Sequence, residues 1–412
     1  MRILIPVLLA IALVFFQNCT EVGRAPQLGI QEPQESAEPV LVMSRPGVHL
    51  AFPQIVAGPN GELMAFVNVG SNHYGSCNDT QVELLTSLDG GVTWSAPKST
   101  LKESAASVTL TSVVSDGSKL VASIERKQFS SNCDRTSAST KSYEIVESSD
   151  AGLTWTARSP LRSHAFGTPI KNDLGQWLFS SYWGGEYTAL GLKSAAGNLI
   201  NASGLINDHT GNVTRPFPFE SGAAPYAFSE ANYIAMGGGR IYGVARAIKD
   251  FYTTKPRDYY LFESLSVDGG VTWSEPLYVR RGGPAELILL RDGSVIRCFT
   301  YRKVYHLFGG EKPLILDDTE PLQSGGIYCQ VSQDQAQSWS MAKLVAANNS
   351  HWDMGYVEGI EHPSVDGRII LLHYDNDGLG DSLASVTDSD SVGERTYRIW
   401  RIGITKAELL RP

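Results

Sequence analysis

The chain has 412 residues, of which 42% are hydrophobic and 19% are charged, so it carries enough apolar material for a large globular core. Its formal net charge is −9, and no basic surface of the kind that binds nucleic acid is expected. A protein of this charge repels acidic ligands. An acidic substrate would therefore need a local group of arginines.

The N-terminal residues predict an export signal. Arg2 is followed by an apolar run over residues 3–16, which is short for a membrane span and has the length of a signal peptide. Cys19 follows that run and resembles the lipidated cysteine of bacterial lipoproteins, although Asn18 stands where those signals usually have Gly, Ala or Ser. We predict an exported protein, either a cell-envelope lipoprotein that contacts the membrane through its lipid anchor only or a secreted protein. An uncleaved segment is the third alternative.

The segment after this signal predicts a flexible linker. Residues 20–39 are rich in Pro, Gln and Glu and hold little apolar surface to bury. The expected organisation is an export signal over residues 1–19, this linker, and one folded domain over residues 40–412.

Internal repeats dominate the rest of the chain. The motif S-x-D-x-G-x-T-W occurs in three good copies and one worn copy, SLDGGVTW (87–94), SSDAGLTW (148–155), SVDGGVTW (266–273) and SQDQAQSW (332–339). The spacing between the second and third copies is about twice the others, so one unit lacks the motif. The Asp is expected to accept hydrogen bonds in a tight turn, the Gly to allow a positive φ, and the Trp to lie between neighbouring units.

A second repeated feature fills the gap. Six turns, each between strand-like runs, occur at Asn60-Gly61, Asp116-Gly117, Leu174-Gly175, Gly238-Gly239, Asp292-Gly293 and Asp366-Gly367. No long segment has helical periodicity. Six units of four short strands predict an all-β fold, a six-bladed β-propeller of four-stranded antiparallel blades.

Together the motifs and their spacing resemble the sialidase (neuraminidase) superfamily with its Asp-box (BNR) repeats, over roughly residues 45–405. Consecutive strands of a blade are antiparallel, so all the motifs and all six turns belong to one face of the propeller. The starts of first strands and the ends of second strands lie on the opposite face. We expect the functional site there, and call this the site face.

The cysteines left after Cys19 are Cys77, Cys133, Cys298 and Cys329. An even number in an exported protein predicts two disulfides. Cys77 and Cys133 lie at similar places in successive units, and the other two are expected on neighbouring strands of one unit. Four buried free thiols are the alternative.

Glu230 and Arg246 belong to one predicted hairpin, EANYIAMGGGRIYGVAR. Glu230 begins its first strand and Arg246 ends its second, so both are expected on the site face. The segment resembles the sialidase hairpin that pairs a nucleophile-activating Glu with a substrate-binding Arg. A structural ion pair at the mouth of the propeller is the alternative.

Four further residues are candidates for the site. Tyr356, which begins the first strand of the sixth unit, corresponds to the sialidase nucleophile, and Tyr374 at the end of the next strand is a weaker candidate. Asp79, before a third strand, corresponds to the general acid/base, unless it caps a loop. Arg302 ends a second strand and is a second candidate for binding a substrate carboxylate, unless it is a surface residue.

The resemblance implies a retaining mechanism. Because sialic acid carries a carboxylate on its anomeric carbon, a carboxylate nucleophile would be repelled, and a tyrosine avoids that repulsion. An Asp protonates the leaving oxygen, and arginines hold the substrate carboxylate. The sequence departs from this pattern in LAFPQIV, where we expect Ala51 to stand in the position of the first arginine; Arg45 is a candidate replacement.

Three functions remain open. The first is an exo-glycosidase of sialidase type that cleaves a terminal acidic sugar from a glycan or glycoconjugate; the second is a catalytically inactive glycan-binding or adhesion lipoprotein. The third is a protein-interaction propeller, since one fold hosts many functions. No cofactor is expected, and the histidines show no metal-ligand spacing.

Overall fold

The structure is a computed structural model that describes residues 39–73, 75–131, 133–134, 137, 139–161, 164–181, 187–188, 191–192, 203–207, 213–217, 226–249, 259–301, 325–347, 355–376 and 396–411. The linker and export-signal predictions, including Cys19, lie outside these residues, as does Arg302. In the part of the chain that is described, no helix is long and apolar enough to cross a membrane.

The described residues form six four-stranded antiparallel sheets and a two-stranded hairpin. Sheet 1 contains β2 (His49–Ala57), β3 (Leu63–Gly70), β4 (Gln81–Ser87) and β5 (Lys98–Leu101), and sheet 2 contains β6 (Ser107–Asp116), β7 (Lys119–Phe129), β8 (Ser139–Ser148) and β9 (Thr156–Pro160). Sheet 3 contains β10 (Ile170–Lys171), β11 (Trp177–Ser181), β14 (Ser203–Asn207) and β15 (Val213–Phe217), and the hairpin consists of β12 (Tyr187–Thr188) and β13 (Gly191–Leu192).

The C-terminal half continues the pattern. Sheet 4 contains β16 (Tyr226–Gly237), β17 (Arg240–Lys249), β18 (Tyr259–Ser266) and β19 (Leu277–Arg281), and sheet 5 contains β20 (Ala285–Leu289), β21 (Val295–Tyr301), β22 (Gly326–Ser332) and β23 (Lys343–Ala347). Sheet 6 contains β24 (Gly355–Glu361), β25 (Arg368–Asn376), β26 (Thr396–Thr405) and β1 (Val40–Pro46). A short helix, α1 (Lys406–Leu410), follows β26 and has a capping box between Thr405 and Glu408.

The first strands of neighbouring sheets contact one another. β2 lies against β6 and β24, and β20 lies against β16 and β24. First strands therefore surround a common axis, and later strands lie farther out. The architecture is an all-β propeller with four-stranded antiparallel blades, as the repeats predict.

Both ends of the chain build sheet 6. β1 pairs with β26 from Val40 opposite Arg401 to Pro46 opposite Thr396, so the N-terminal strand is the outermost strand of the sheet whose other strands are C-terminal. This arrangement also decides the position of Arg45. Its guanidinium makes two hydrogen bonds to the Glu83 carboxylate, at 2.9 and 2.7 Å, on the outer side of the sheet.

All four copies of the S-x-D motif fold into the same turn. In the first copy the Asp89 carboxylate accepts hydrogen bonds from the backbone amide and the hydroxyl of Thr93, at 2.9 and 2.6 Å. These bonds recur in the worn copy, where Asp334 accepts from Ser338 at 2.9 and 2.5 Å. Ala336 there adopts a φ of 64°, where the good copies have glycine. The turn therefore depends on the Asp and hydroxyl pair more than on the glycine.

The motif tryptophans lie in the apolar layers beside the sheets. Trp155 of sheet 2 packs edge-on against Phe66 of sheet 1, with ring centroids 5.8 Å apart. Trp339 of sheet 5 lies 5.6 Å from Tyr242 of sheet 4. These contacts between sheets support the structural role that the sequence predicts for the motif.

Two disulfides are present, and they are the pairs that the sequence predicts. Cys77 bonds Cys133 across sheets 1 and 2, and Cys298 bonds Cys329 on the adjacent strands β21 and β22. Such bonds persist in oxidising compartments, which fits an exported protein.

Replacing both Cys77 and Cys133 by Ser should lower the free energy of unfolding by about 2–4 kcal/mol, because the bond closes a long loop in the unfolded chain. Urea denaturation of residues 20–412 and of the double variant measures the difference. Thiol titration of the unreduced, denatured wild-type protein should find no free thiol. Equal unfolding midpoints would contradict this prediction.

Candidate functional site

Three first strands share an unusual backbone feature at the site face. Phe52 in β2, Glu230 in β16 and Tyr356 in β24 have φ values of 50°, 49° and 45°, in the left-handed region that side chains rarely adopt. Each lies in a bulge where the pairing with the second strand shifts. Such residues cost about 1–3 kcal/mol each and occur mainly at functional sites.

The bulges are held by hydrogen bonds from polar side chains of second strands. The Asn68 amide donates to the Phe52 carbonyl at 3.3 Å and to the Leu110 carbonyl of sheet 2 at 3.0 Å. The Ser180 hydroxyl of sheet 3 donates at 2.7 Å to the carbonyl of Ala231, the residue after Glu230. Neighbouring sheets thus support the strained backbone that carries the candidate site residues.

Tyr356, Glu230 and Arg246 come together at one atom. The Tyr356 hydroxyl donates a hydrogen bond of 2.6 Å to Glu230 Oε1, and Arg246 Nη2 lies 2.6 Å from the same oxygen. Glu230 and Arg246 are both buried, whereas Tyr356 is partly exposed. The three residues come from two sheets and are 126 positions apart in sequence at their widest separation, between Tyr356 and Glu230.

The strand register places Arg246 where it can reach Glu230. Ser229 and Arg246 are paired across β16 and β17, so the arginine lies beside the residue that follows Ser229. The guanidinium also stacks over the Tyr259 ring at 4.7 Å. Arg246 and Tyr356 thus share one oxygen of Glu230, an arrangement in which Glu230 can accept the Tyr356 proton.

Aromatic rings surround the Tyr356 phenol. Phe52 and Phe166 meet it edge to face, with centroids 4.9 and 5.5 Å away, and Tyr374 stacks beside it at 6.2 Å. The Tyr356 ring is therefore packed among aromatic rings, while its hydroxyl contacts the Glu230–Arg246 pair. The sequence predicts Tyr374 at this place, but it does not predict the two phenylalanines.

The residue that the sequence resemblance places at the arginine position, Ala51, is fully buried in the core and pairs with Asn68. Its neighbour Phe52 takes the bulged position that Glu230 and Tyr356 take in their own strands. By this structural equivalence Phe52, rather than Ala51, is the residue of sheet 1 that corresponds to Glu230 and Tyr356.

Arg45 does not replace the missing arginine. It is bound to Glu83 at the outer strand of sheet 6, as described above. Asp79 lies on an exposed loop before β4, where its carboxylate accepts hydrogen bonds from the backbone amide and the hydroxyl of Ser71. Asp79 precedes the start of β4 and therefore belongs to the site face. Among the described residues its hydrogen bonds are those with Ser71, and none joins it to Tyr356 or Glu230.

A layer of polar side chains lies one step along the axis from the site. Gln54, Asn232 and Glu358 each follow a bulged residue by two positions and are buried. Asn232 donates a hydrogen bond to Glu286, the corresponding side chain of β20. A signal for this layer is present in the sequence, since the segments AFPQ, SEAN and GYVE all end in a polar residue.

Glu286 and Glu358 are both fully buried and interact with each other. Burial raises the pKa of Glu358 to about 8, and a hydrogen bond with Gln54 opposes that change. Burial and the Glu358 charge raise the pKa of Glu286, whereas its bonds with Asn232 and Thr168 lower it. Within the described residues, no group of three or more His, Cys, Asp or Glu side chains is arranged to hold a metal ion.

Comparison with known proteins shows similarity of fold without similarity of sequence. No family model matches the chain, and no curated protein matches its sequence. A protein of unknown function from Dyadobacter fermentans has a similar structure, with a TM-score of 0.61 and 16% identity over 89% of this chain and 99% of its own.

Sialidases are also similar in structure. NanB sialidase from Streptococcus pneumoniae has a TM-score of 0.54 and 12% identity over 88% of this chain and 69% of its own. A leech intramolecular trans-sialidase has a TM-score of 0.52 and 14% identity over 88% and 69%. A Hadza microbial sialidase has a TM-score of 0.52 and 15% identity over 85% and 65%. The structural similarity shows a sialidase-like propeller fold. At these low identities it does not show the activity.

Replacing Glu358 by Gln should change stability relative to the wild type more favourably at pH 8 than at pH 5. Because the folded state holds the Glu358 proton more tightly than the unfolded state, stability is full below about pH 4.5 and is lost as the pH rises toward 8. Gln stays neutral throughout. The melting temperature of the variant minus that of the wild type should therefore rise by about 2 °C or more between pH 5 and pH 8. A difference that is constant with pH would contradict burial of a protonated Glu358.

Proposed function

We propose that this protein is a retaining exo-glycosidase of sialidase type that acts on a terminal sugar of a glycan or glycoconjugate. The six four-stranded sheets are, in this proposal, the six blades of one propeller. The observation that carries the proposal is the convergence of the Tyr356 hydroxyl and the Arg246 guanidinium on one oxygen of Glu230, each at 2.6 Å. The sialidases among the structural neighbours support it.

The reaction assigns a separate step to each group. Tyr356 Oη bonds to the anomeric carbon while its proton passes to Glu230, and Asp79 gives a proton to the leaving oxygen. Water then attacks the anomeric carbon and the bond from that carbon to Tyr356 Oη breaks. Asp79 accepts the proton of the water, and Glu230 returns its proton to the Tyr356 oxygen. Arg246 holds Glu230 in place between turnovers. Asp79 reaches the leaving group only after its bonds with Ser71 open.

The sequence favours an acidic sugar, for which arginines are required. Arg246 is one of them, and it is already engaged with Glu230. Arg302, the second candidate, is part of the proposal on the sequence resemblance alone. The cellular location is proposed on the same basis: a lipoprotein anchored at Cys19 or a secreted protein, with the two disulfides supporting export.

A glycan-binding protein without catalysis is the second candidate. Phe52 at the position of the expected arginine and Asp79 bonded within its own loop favour it. In that case the aromatic surround of Tyr356 binds a sugar, and no bond is cleaved. Release of sugar from a substrate decides between the two candidates.

Replacing Glu230 by Gln should lower turnover at least about a hundredfold, because the amide cannot accept the Tyr356 proton. Tyr356→Phe should lower it about a thousandfold or more while ligand binding remains. Release of 4-nitrophenol from a panel of aryl glycosides, including the α-sialoside, measures both effects with residues 20–412.

The matched control is Glu83→Gln, which removes the carboxylate of a second arginine–glutamate pair outside the site. It should leave turnover within about twofold, in line with the ordinary effect of a change remote from the chemistry. Circular dichroism checks that each variant is folded. Full activity of Tyr356→Phe would reject the assignment of the nucleophile.

Replacing Asp79 by Asn should separate good from poor leaving groups. A nitrophenolate departs without protonation, whereas a sugar oxygen needs the acid, so hydrolysis of a disaccharide should fall about 10²–10⁴-fold and that of the aryl glycoside much less. Ser71→Ala is the control, since it removes the hydroxyl that donates to Asp79 and keeps both the Ser71 backbone amide bond and the acid. Equal losses on both substrates would show that Asp79 is structural.

A further inference from the structure

Phe52 is a site residue by its backbone. In β2, β16 and β24 the bulge turns one residue into the left-handed region, and in sheets 4 and 6 that residue is Glu230 or Tyr356, which meet at the hydrogen bond of 2.6 Å. The same position of sheet 1 holds Phe52. The same backbone conformation that brings Glu230 and Tyr356 together places the benzyl side chain of Phe52 at the equivalent position of sheet 1.

The Phe52 ring lies directly against the candidate nucleophile. Its centroid is 4.9 Å from that of Tyr356, with the rings nearly perpendicular, and 5.4 Å from that of His73. Phe166 meets the Tyr356 ring from another direction, at 5.5 Å. The Phe52 and Phe166 rings therefore cover two sides of the Tyr356 ring with aromatic carbon.

A substrate carboxylate would bind poorly against the Phe52 ring. A benzene ring offers no hydrogen-bond donor, so a carboxylate placed against it gives up bound water without replacement. Of the arginine candidates among the described residues, which do not include Arg302, Arg45 is held by two hydrogen bonds to Glu83. Arg246 is bound to Glu230. The C–H face of an uncharged sugar ring, in contrast, loses little by leaving water and packs well on an aromatic ring.

We propose that Phe52 determines specificity and that the site takes a neutral pyranoside, with no carboxylate on the anomeric carbon, whose C–H face lies on the Phe52 ring. The inference rests on the proposed function in that it places a sugar at Tyr356. It changes the role of Arg246 from a substrate clamp to a residue that holds Glu230. It also replaces the acidic sugar that the sequence favours with a neutral sugar as the expected substrate.

Two measurements on residues 20–412 test this proposal. The first is turnover of 4-nitrophenyl α- and β-glycosides of galactose, glucose and fucose beside the α-sialoside. The second is binding of the free neutral sugars and of sialic acid by calorimetry. Both are repeated with Phe52→Arg and with Phe52→Leu, which keeps an apolar side chain and removes the ring. Circular dichroism of each variant checks the fold.

The wild type should prefer a neutral sugar in both measurements. Phe52→Arg should weaken binding of that sugar and strengthen binding of sialic acid, by roughly ten- to a hundredfold in the ratio of the two, the effect of one charge-assisted pair. Phe52→Leu should weaken neutral-sugar binding without strengthening that of sialic acid. This pattern separates a specificity role from a loss of packing.

The outcomes distinguish this inference from the proposed function. Preference of the wild type for the α-sialoside, or an unchanged ratio in Phe52→Arg, overturns the inference and leaves the glycosidase standing. Binding of neutral sugars without turnover supports the inference and overturns the glycosidase in favour of a binding protein. Silence in both measurements overturns both. If Phe52→Arg does not fold, the wild-type preference and Phe52→Leu decide the matter.

Discussion

Pairing of the N-terminal strand with the C-terminal part of the chain is the constraint on which the site depends. β1 supplies the fourth strand of sheet 6, so the sheet that carries Tyr356 is held from both ends of the folded chain. Phe52 lies on the first strand of sheet 1, next to it. β2 packs directly against β24 of that sheet, and the Phe52 and Tyr356 rings meet between these two strands.

The ring of sheets also buries ionisable groups near the axis. Glu230 and Arg246 are buried as an ion pair, whereas burial raises the pKa values of Glu286 and Glu358 and favours their neutral forms. Taking an ion pair out of water is costly, and apolar side chains of the same volume are often as stabilising or more so. The fold alone therefore does not require the Glu230–Arg246 pair. Under the proposed function the pair is required, and its position is fixed before the ligand arrives.

Much of this could be predicted from residues that are close in sequence. Each S-x-D motif and each turn is a local feature, and the antiparallel order of strands then places Glu230, Arg246 and Tyr356 on one face without further information. The disulfide pairs follow from the same repeats. Phe52 was not identified in this way, because a phenylalanine in a strand has no polar group to mark it as a site residue, and its equivalence to Glu230 and Tyr356 is visible only in the backbone of the folded chain. Nor could the Asp79–Ser71 bond be predicted, since loops of this kind have no repeating pattern.

The sequence by itself determined the all-β repeat and the turns that define one face, because both follow from local hydrogen bonding and strand alternation. The places of the cysteines in those repeats indicated their pairing, and the resemblance to sialidases singled out Glu230, Arg246 and Tyr356 on the site face. Only the tertiary structure decided that Arg45 binds Glu83, that Phe52 faces Tyr356, and that two glutamates share the axis. Those contacts join residues from different sheets. Their geometry depends on how the sheets close around the axis, and no local pattern of residues carries that information.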